Sequence, residues 1–428
     1  MQGRQLTILA AIAAVAILAA IWASRERVPD ASSSVGGRLV PGLEEDVNDV
    51  TKVEIGAGEG PLVTIERTDD AWVIAEKSGY PADVNKLRET LLGLSIAEVL
   101  EEKTSDPENY AQLGVTDVIA EEEPGAHLTI TGLGEPVELV IGQTARGGSS
   151  TYARRAGEAT ALLVSGNLDI DRQPVDWLHR DVLDVTGDTV QSVSIVHPEG
   201  RNVEIAKESR DLPDFTVAEI PEGQKLVSAA ETNSLASALT GLRLEDVEPE
   251  EAFEPEESIR STYRLFDGKV FTVYAFEIDE RKLIHVQADF DADLAERFAV
   301  AEEDEAAAAA DETLAGDAAG TGETAAPAED EAIEPEAAPE DAAEATSAAE
   351  EEAPAEADDE TSDAEESAAG AAEKLRIAMD AAREEAEMLD ARLEPWIFEI
   401  TDYKYEQLTR APDDIFEPTV PEGEAEGS

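Results

Sequence analysis

The most regular pattern along the chain is an alternation of apolar and polar residues that occurs twice, 140 residues apart. The apolar positions of the two copies are Val53, Ile55, Val63 and Ile65, then Val193, Ile195, Val203 and Ile205. Such alternation predicts paired strands with one buried face. A Leu/Gly block at 91–94 recurs at 239–242 and predicts the end of a short helix in each copy. The sequence therefore predicts one strand–strand–helix unit that is present twice.

Further elements follow from the same periodicities. In the first half, strands are expected at 50–56, 62–67, 72–74, 127–131, 137–141, 152–154 and 161–164, with a helix from Asp83 to Leu94. In the second half, strands are expected at 190–196, 202–207, 215–219, 262–267, 270–278, 283–288 and 396–400, with a helix over 229–242. The abundance of short strands beside few helices predicts an α+β fold.

We therefore expect two homologous strand-rich modules with short helices, preceded by a membrane anchor. The predicted boundaries are an anchor at 1–25, a linker at 26–45, a first module at 46–187, a second module at 188–300 plus 394–411, a disordered acidic insertion at 301–372, a charged helix at 373–393 and a disordered tail at 412–428. The strand at 396–400 is expected to close the second module, with Trp396 in the place that Trp177 has in the first.

The anchor is predicted from an uncharged stretch of 18 residues, Leu6 to Ala23. At ~1.5 Å per helical residue it nearly spans a hydrocarbon core of about 30 Å. A cleavable signal peptide is the alternative, although Trp22, Arg25 and Arg27 beside the cleavage point disfavour it. The flanking charges predict a cytoplasmic N-terminus. The bulk of the chain is then expected outside the cytoplasmic membrane of a bacterium.

Charge and composition narrow the classes of partner. The chain has 98 acidic and 32 basic residues in 428, a formal net charge of −66, and no cysteine. This balance excludes a nucleic-acid partner, because phosphate contacts need clustered Lys and Arg. Residues 301–370 hold 26 of the acidic residues and no basic or aromatic one, a composition that predicts disorder. The remaining acidity is compatible with a halophilic host or with an ordinary solvated surface.

Motifs for cofactors, metals or catalysis are weak in this sequence. Residues 142–149 have the spacing of a phosphate loop, but Gly148 stands where the motif needs Lys, so a hairpin loop is the better interpretation. The acidic run 289–293 lacks the Gly and Glu of a twelve-residue calcium loop. No two of the four histidines have the spacing of a helical zinc site; His179, beside Trp177, is the one in a mixed polar and aromatic setting. We therefore predict no catalytic, metal or cofactor site.

Three basic residues are the candidate contacts for a partner. Arg146, Arg154 and Arg155 form a basic patch in an otherwise acidic sequence. Pairing with neighbouring carboxylates would make the patch structural. A contact with an acidic protein or an anionic envelope polymer is the functional alternative.

Several motifs occur in a fixed order after the anchor. They are Trp72-Val73, Tyr80 to Asp83, Asn109 to Val115, Ile141-Gly142, Thr151 to Arg154 and Asp176 to Leu178. This ordered set resembles the bacterial membrane-anchored family known as domain of unknown function 4340, over about 45–300 and 390–410. The family has no established activity. The resemblance implies an accessory role in the cell envelope, since members are often encoded beside ATP-binding-cassette transporter components similar to the gliding-motility auxiliary system.

Two functions remain open at this point. The first is a single-pass envelope protein that binds partners in the cytoplasmic membrane, among them subunits of an ABC-type transport complex, and performs no catalysis. The alternative is an envelope enzyme that acts on polysaccharide or peptidoglycan through carboxylates that the sequence does not single out.

Overall fold

The computed structural model of the protein describes residues 35–57, 60–69, 71–117, 124–250, 257–299 and 360–419. These residues divide into two compact units. The N-terminal unit runs to Asp181 and also contains Arg243–Pro249; the C-terminal unit contains Val182–Leu242 and the described residues from Glu250 onward. The predicted anchor lies outside the described residues. None of the described helices has the length and apolar composition that crossing a membrane requires.

The N-terminal unit is built on one nine-stranded sheet. Its strands are β1 (Lys52–Ala57), β2 (Gly60–Arg67), β3 (Trp72–Ile74), β4 (Tyr80–Pro81), β5 (Val99–Thr104), β6 (Ala126–Thr131), β7 (Val137–Thr144), β8 (Ser150–Arg155) and β9 (Ala161–Ser165). Its helices are α1 (Leu43–Asp46), α2 (Val84–Ile96) and α3 (Tyr110–Leu113), with 3-10 turns at Val47–Asp49, Ala75–Lys77, Pro107–Asn109 and Pro174–Trp177. The strand order is β4-β3-β2-β1-β6-β7-β8-β9-β5.

The alternation in the sequence sets the register of this sheet. Val53 lies opposite Ile65 on one side and opposite Ile130 on the other, and all three side chains are buried. Because successive residues of a strand point to opposite faces, these positions form one apolar layer. Leu87, Leu91 and Leu94 form the buried face of α2.

The C-terminal unit contains seven consecutive strands of a second large sheet. In chain order its elements are β11 (Val190–Val196), β12 (Asn202–Ala206), β13 (Thr216–Val217), β14 (Gln224–Leu226), α4 (Ala229–Ala236), β16 (Ile259–Leu265), β17 (Lys269–Ile278), β18 (Arg281–Phe290), α5 (292–299), α6 (Glu360–Leu393), β19 (Trp396–Ile400), α7 (Asp402–Leu408), α8 (Pro412–Ile415) and β20 (Phe416–Pro418). Two further strands, β10 (Asp181–Leu183) and β15 (Leu242–Pro249), lie at the boundaries of the units.

The two units share a strand order. The N-terminal sheet contains the run β3-β2-β1-β6-β7-β8-β9, and the C-terminal sheet contains β13-β12-β11-β16-β17-β18-β19. Each strand of the second run carries the number of the first plus ten, so the chain follows the same path twice. The predicted α+β class is confirmed: two large sheets are accompanied by mostly short helices.

Several predicted boundaries were wrong. The linker predicted at 26–45 already contributes to the core, because Leu39 and Leu43 are buried and Gly36 N–H donates to the carbonyl of Val99 at 2.8 Å. The tail predicted from 412 starts with α8 and β20, whose Ile415 and Phe416 are buried; positions 420–428 lie outside the described residues. In both segments a few buried apolar side chains outweigh the polar composition.

Two helices also differ from their predicted ranges. The charged helix begins at Glu360 rather than 373, since Ala and Glu favour helix even where no apolar stripe exists; residues 300–359 of the predicted insertion lie outside the described part. The helix predicted over 229–242 ends at Ala236, and turns lead to Gly241 with its positive φ of 57°.

The predicted equivalence of Trp396 and Trp177 was wrong as well. Trp396 is half-buried at the start of β19, which takes the place of β9 in the strand order. Trp177 is fully buried in the 3-10 turn that follows β9. The segment that follows β19 in the C-terminal unit is α7 instead.

Candidate binding surfaces

The predicted basic patch is not one surface, and Arg154 has an internal role. Its side chain is 3% exposed. The Nε atom donates to the carbonyl of Val115 at 3.0 Å, and one terminal nitrogen donates to the carbonyl of Glu158 at 3.0 Å. The other terminal nitrogen pairs with Asp117, and the guanidinium lies over the Tyr110 ring at 4.9 Å from its centroid. The prediction of Arg154 as a partner contact was wrong, because its donors are consumed inside the unit.

Arg155 and Arg146 occupy different environments again. Arg155 points to the opposite face of β8 and donates to the carbonyls of Leu39 at 2.9 Å and Arg38 at 3.1 Å. Its side chain is 14% exposed, so it ties the N-terminal segment to the sheet. Arg146 lies exposed in the turn between β7 and β8. Of the three predicted residues, Arg146 alone offers its side chain freely to solvent.

A close approach of backbones joins the motif Asn109–Val115 to the motif Ile141-Gly142. A Cβ atom added to Gly142 would lie 2.2 Å from the carbonyl oxygen of Leu113. One added to Gly125 would lie 2.3 Å from the carbonyl oxygen of Gly114. Only glycine fits at such distances. The Tyr110 hydroxyl, from the same motif, donates to the carbonyl of Ala159, which closes this inner cluster.

A second set of contacts joins Tyr80–Asp83 to Asp176–Leu178. Asp83 caps α2, since its carboxylate accepts the N–H groups of Asn85 and Lys86 at 3.0 Å each. Its own N–H donates to the carbonyl of Trp177 at 2.7 Å. The Trp177 indole donates to the carbonyl of Asp171 at 3.0 Å, and the Lys86 ammonium lies 4.8 Å from the ring centroid. These motif residues position α2 on the sheet.

The motif order therefore describes a folded unit, and comparison with protein families agrees. Residues 72–265 match the family model of a domain of unknown function, DUF4340. This stretch is a DUF4340 domain. The family predicted from the motifs is confirmed over these residues, although the match is shorter than the predicted 45–300 and 390–410. No curated protein and no solved structure matches the chain.

The DUF4340 match begins at one wall of an apolar groove in the N-terminal unit. The groove has a volume of about 330 Å³ and runs along α2. Its lining residues are Val47, Asn48, Val50, Arg67, Trp72, Val84, Leu87, Arg88, Leu91 and Leu92. The set contains two arginines and no carboxylate. Such a site can accept an apolar group flanked by negative charge.

Sequence reasoning missed this groove, although α2 carried a signal for it. Val84, Leu92 and Ile96 are 39%, 44% and 55% exposed. They are apolar residues on the outer side of an amphipathic helix, at positions where the 3.6-residue pattern calls for polar ones. A helical wheel of 84–96 would have shown two apolar faces in place of one.

A second concave surface belongs to the C-terminal unit and has the opposite charge. This cleft of about 450 Å³ is lined by Glu199, Glu257 and Glu277 together with His197 and Tyr405. Burial raises the pKa of the Tyr405 phenol. A hydrogen bond from Lys282 to Glu277 raises the pKa of that lysine. The cleft favours a cationic group over an anionic one.

The remaining motif candidates have structural positions. The loop 142–149 connects β7 to β8, and Gly147 and Gly148 adopt positive φ angles in its open turn. Asp291 caps α5 by accepting the N–H of Leu294 at 3.0 Å. His179 is exposed, and its N–H donates to the carbonyl of Pro81 at 3.0 Å. Across the described ranges, no group of three or more His, Asp or Glu side chains is arranged to hold a metal ion.

Proposed function

We propose that the protein is a membrane-anchored envelope protein that binds partner proteins and does not catalyse a reaction. In this proposal residues 6–23 hold it in the cytoplasmic membrane with the N-terminus inside. Two homologous strand-rich modules then lie outside the cytoplasm and serve an ABC-type transport complex as an accessory subunit. The shared strand order of the two units supports an origin by duplication.

The observation that carries this proposal is the use of the family motifs. Gly142 makes a backbone approach, Asp83 caps α2, and Arg154 and Tyr110 fill the interior with satisfied polar groups. Catalytic residues need a polar atom directed at a substrate. Motif residues that are used internally instead preserve a shape, which is what a binding module needs.

Affinity purification from native membranes tests the proposal. The full chain, tagged at its C-terminus, would be crosslinked in cells of its own bacterium, and we expect transporter subunits among the recovered proteins. A matched control replaces residues 6–23 by an unrelated single-pass segment; recovery should persist, because binding resides in the exported units. Recovery of this chain alone, across several detergents, would contradict the proposal.

Topology needs a separate measurement. Alkaline phosphatase fused after residue 300 should be active in a bacterial host, because the enzyme folds only outside the cytoplasm. An inactive but intact fusion would place the bulk of the chain inside and would reverse the proposed orientation.

The enzyme alternative has one observation in its favour, the cleft with three glutamates. Two carboxyl groups about 5–10 Å apart are the minimum for hydrolysis of a glycosidic bond. Substituting Glu199 or Glu257 by Gln removes a carboxylate from the cleft and keeps the side-chain shape. If the protein released soluble fragments from purified peptidoglycan and either variant abolished this release, the binding proposal would give way to the enzyme.

A further inference from the structure

The apolar groove of the N-terminal unit is the surface on which the structure is most specific about a partner. Its floor is formed by side chains that are also core residues, Val50, Leu87 and Leu91, and its walls by Trp72 and Leu92. Leu92 is exposed by 44% although Leu91 beside it is 5% exposed. Contiguous exposed apolar surface of this kind marks sites of interaction.

The equivalent position in the C-terminal unit is closed. Arg67 N–H donates to the carbonyl of Thr51 at 2.9 Å, and Lys207 N–H donates to that of Gln191 at 2.8 Å, so both pairs correspond at the offset of 140. Lys207 is 6% exposed and lies 4.6 Å from the ring centroid of Phe215, which is itself buried. The same framework therefore fills this position with its own side chains in one unit only.

Backbone packing completes the closure. At the same offset, Gly187 of the C-terminal unit stands where the N-terminal unit has Val47. A Cβ on Gly187 would lie 2.6 Å from the Ser237 hydroxyl oxygen and 3.5 Å from the carbonyl carbon of Ala236. The segment thus lies directly against the end of α4. In the N-terminal unit, Val47 and α2 are instead two sides of an open groove.

The exposed face of α2 indicates the shape of an occupant. Val84, Arg88, Leu92 and Ile96 succeed one another at intervals of four residues and all are exposed. Residues at this spacing form a ridge along a helix, and such a ridge packs into the groove of a second helix. The ridge extends over about 18 Å at ~1.5 Å per residue, which is three turns of a partner helix.

The charges indicate its composition. Arg67 and Arg88 are the charged side chains among those that line the groove. No carboxylate of the described residues pairs with Arg88, in a chain that has 98 acidic residues against 32 basic ones. An occupant with carboxylates beside its apolar side chains would complement both arginines.

We propose that this groove binds an acidic amphipathic helix of a partner protein. One or two large apolar side chains of that helix enter between Trp72 and Leu92, and its carboxylates meet Arg67 and Arg88. This inference rests on the proposed binding function and names the chemistry of the partner. It corresponds to the helix-in-groove mode of recognition.

A peptide with defined charge tests the inference directly. The probe is a fluorescein-labelled helical peptide of 18 residues built from Leu, Ala and Glu, and its control carries Lys in place of every Glu. Binding to the full chain in nanodiscs of zwitterionic lipid is followed by fluorescence anisotropy. We expect a Kd of roughly 10–100 µM for the acidic peptide, and at least tenfold weaker binding of the basic one.

Matched variants decide between a specific site and general adhesion. Leu92→Glu and Arg88→Glu change exposed side chains and should each weaken binding of the acidic peptide at least tenfold. Ile278→Glu changes an equally exposed apolar residue, 53% exposed, in the C-terminal unit and should leave binding unchanged. In the double variant Arg67→Glu with Arg88→Glu, the preference should reverse toward the basic peptide, a result that a loss of folding cannot produce.

Three outcomes would overturn the inference. They are equal binding of both peptides, no response to Leu92→Glu, and binding of anionic lipid vesicles, rather than the peptide, that Leu92→Glu abolishes. If the peptide fails while transporter subunits still co-purify with the full chain, the groove inference alone is wrong. If both fail, the proposed function is wrong as well.

Discussion

The two units of this protein follow one path of strands but treat matching positions differently. In the N-terminal unit, Arg154 lies opposite Val140 on the neighbouring strand; at the matching place in the C-terminal unit, His285 lies opposite Tyr274. Both Arg154 and His285 are buried. Arg154 binds two carbonyls and an aromatic ring, whereas His285 contacts the carbonyl of Trp396 at 3.2 Å. The topology tolerates a buried polar group here, and each unit satisfies it with its own partners.

The same comparison at the surface separates framework from function. Lys207 and Phe215 close the space beside α4, while Arg67 and Trp72 leave the space beside α2 open. A shared framework with one open and one closed position suggests that the open one has been kept for a partner. Fold stability should therefore depend on the shared interior, and binding on the surface that differs.

The largest effect is expected where backbones meet inside the N-terminal unit. Gly142→Ala places a methyl group 2.2 Å from the carbonyl oxygen of Leu113, which is backbone and cannot rotate away. We expect a loss of about 4 kcal/mol in the free energy of unfolding, measured by urea denaturation monitored by circular dichroism.

Gly60→Ala is the matched control for this prediction. Gly60 also lies in a strand of the same sheet, and nothing stands within 4 Å of an added Cβ. Its substitution should change the free energy of unfolding by less than about 1 kcal/mol. Equal effects of the two substitutions would show that the close approach of the family motifs does not hold the unit together.

A somewhat smaller effect is expected for the buried arginine. Arg154→Ala leaves the carbonyls of Val115 and Glu158 without a donor and opens a gap beside Tyr110. We expect the free energy of unfolding to fall by about 3 kcal/mol. Arg146→Ala, in the exposed turn, should change it by less than about 0.5 kcal/mol.

The two arginine variants also sharpen the assignment of roles. If Arg154→Ala left stability intact but abolished recovery of partner proteins, the sequence-based prediction of a partner contact would be restored. A loss of stability without effect from Arg146→Ala would leave both residues outside the binding surface.

The sequence predicted those features of the fold that depend on one-dimensional periodicity. The alternation at 53–55 and 193–195 matches β1 and β11, and the apolar spacing from Leu87 to Leu94 matches α2. Strand periodicity also contained the correction to the basic patch. Arg154 and Arg155 are consecutive residues of β8, so they had to point to opposite faces.

The groove could not be predicted in the same way, because it depends on two segments that meet in space. Val47 and Arg67 stand on one side and α2 on the other, and no local pattern shows that the gap between them stays open. The closed counterpart depends equally on the contact between Gly187 and Ser237, 50 positions apart in the sequence. What the sequence did contain was the second apolar face of α2.

The smallest expected effect tests the open and closed positions against each other. Lys207→Ala removes an ammonium over the Phe215 ring and the buried methylene groups that carry it, so we expect the free energy of unfolding to fall by about 1 kcal/mol. Arg67→Ala, at the matching exposed position, should change it by less than about 0.5 kcal/mol and should instead weaken binding of the acidic peptide. Urea denaturation and anisotropy on the same two preparations give both values. An effect on stability that is as large for Arg67 as for Lys207 would mean that both positions belong to the framework, and the contrast on which the groove is assigned to a partner would disappear.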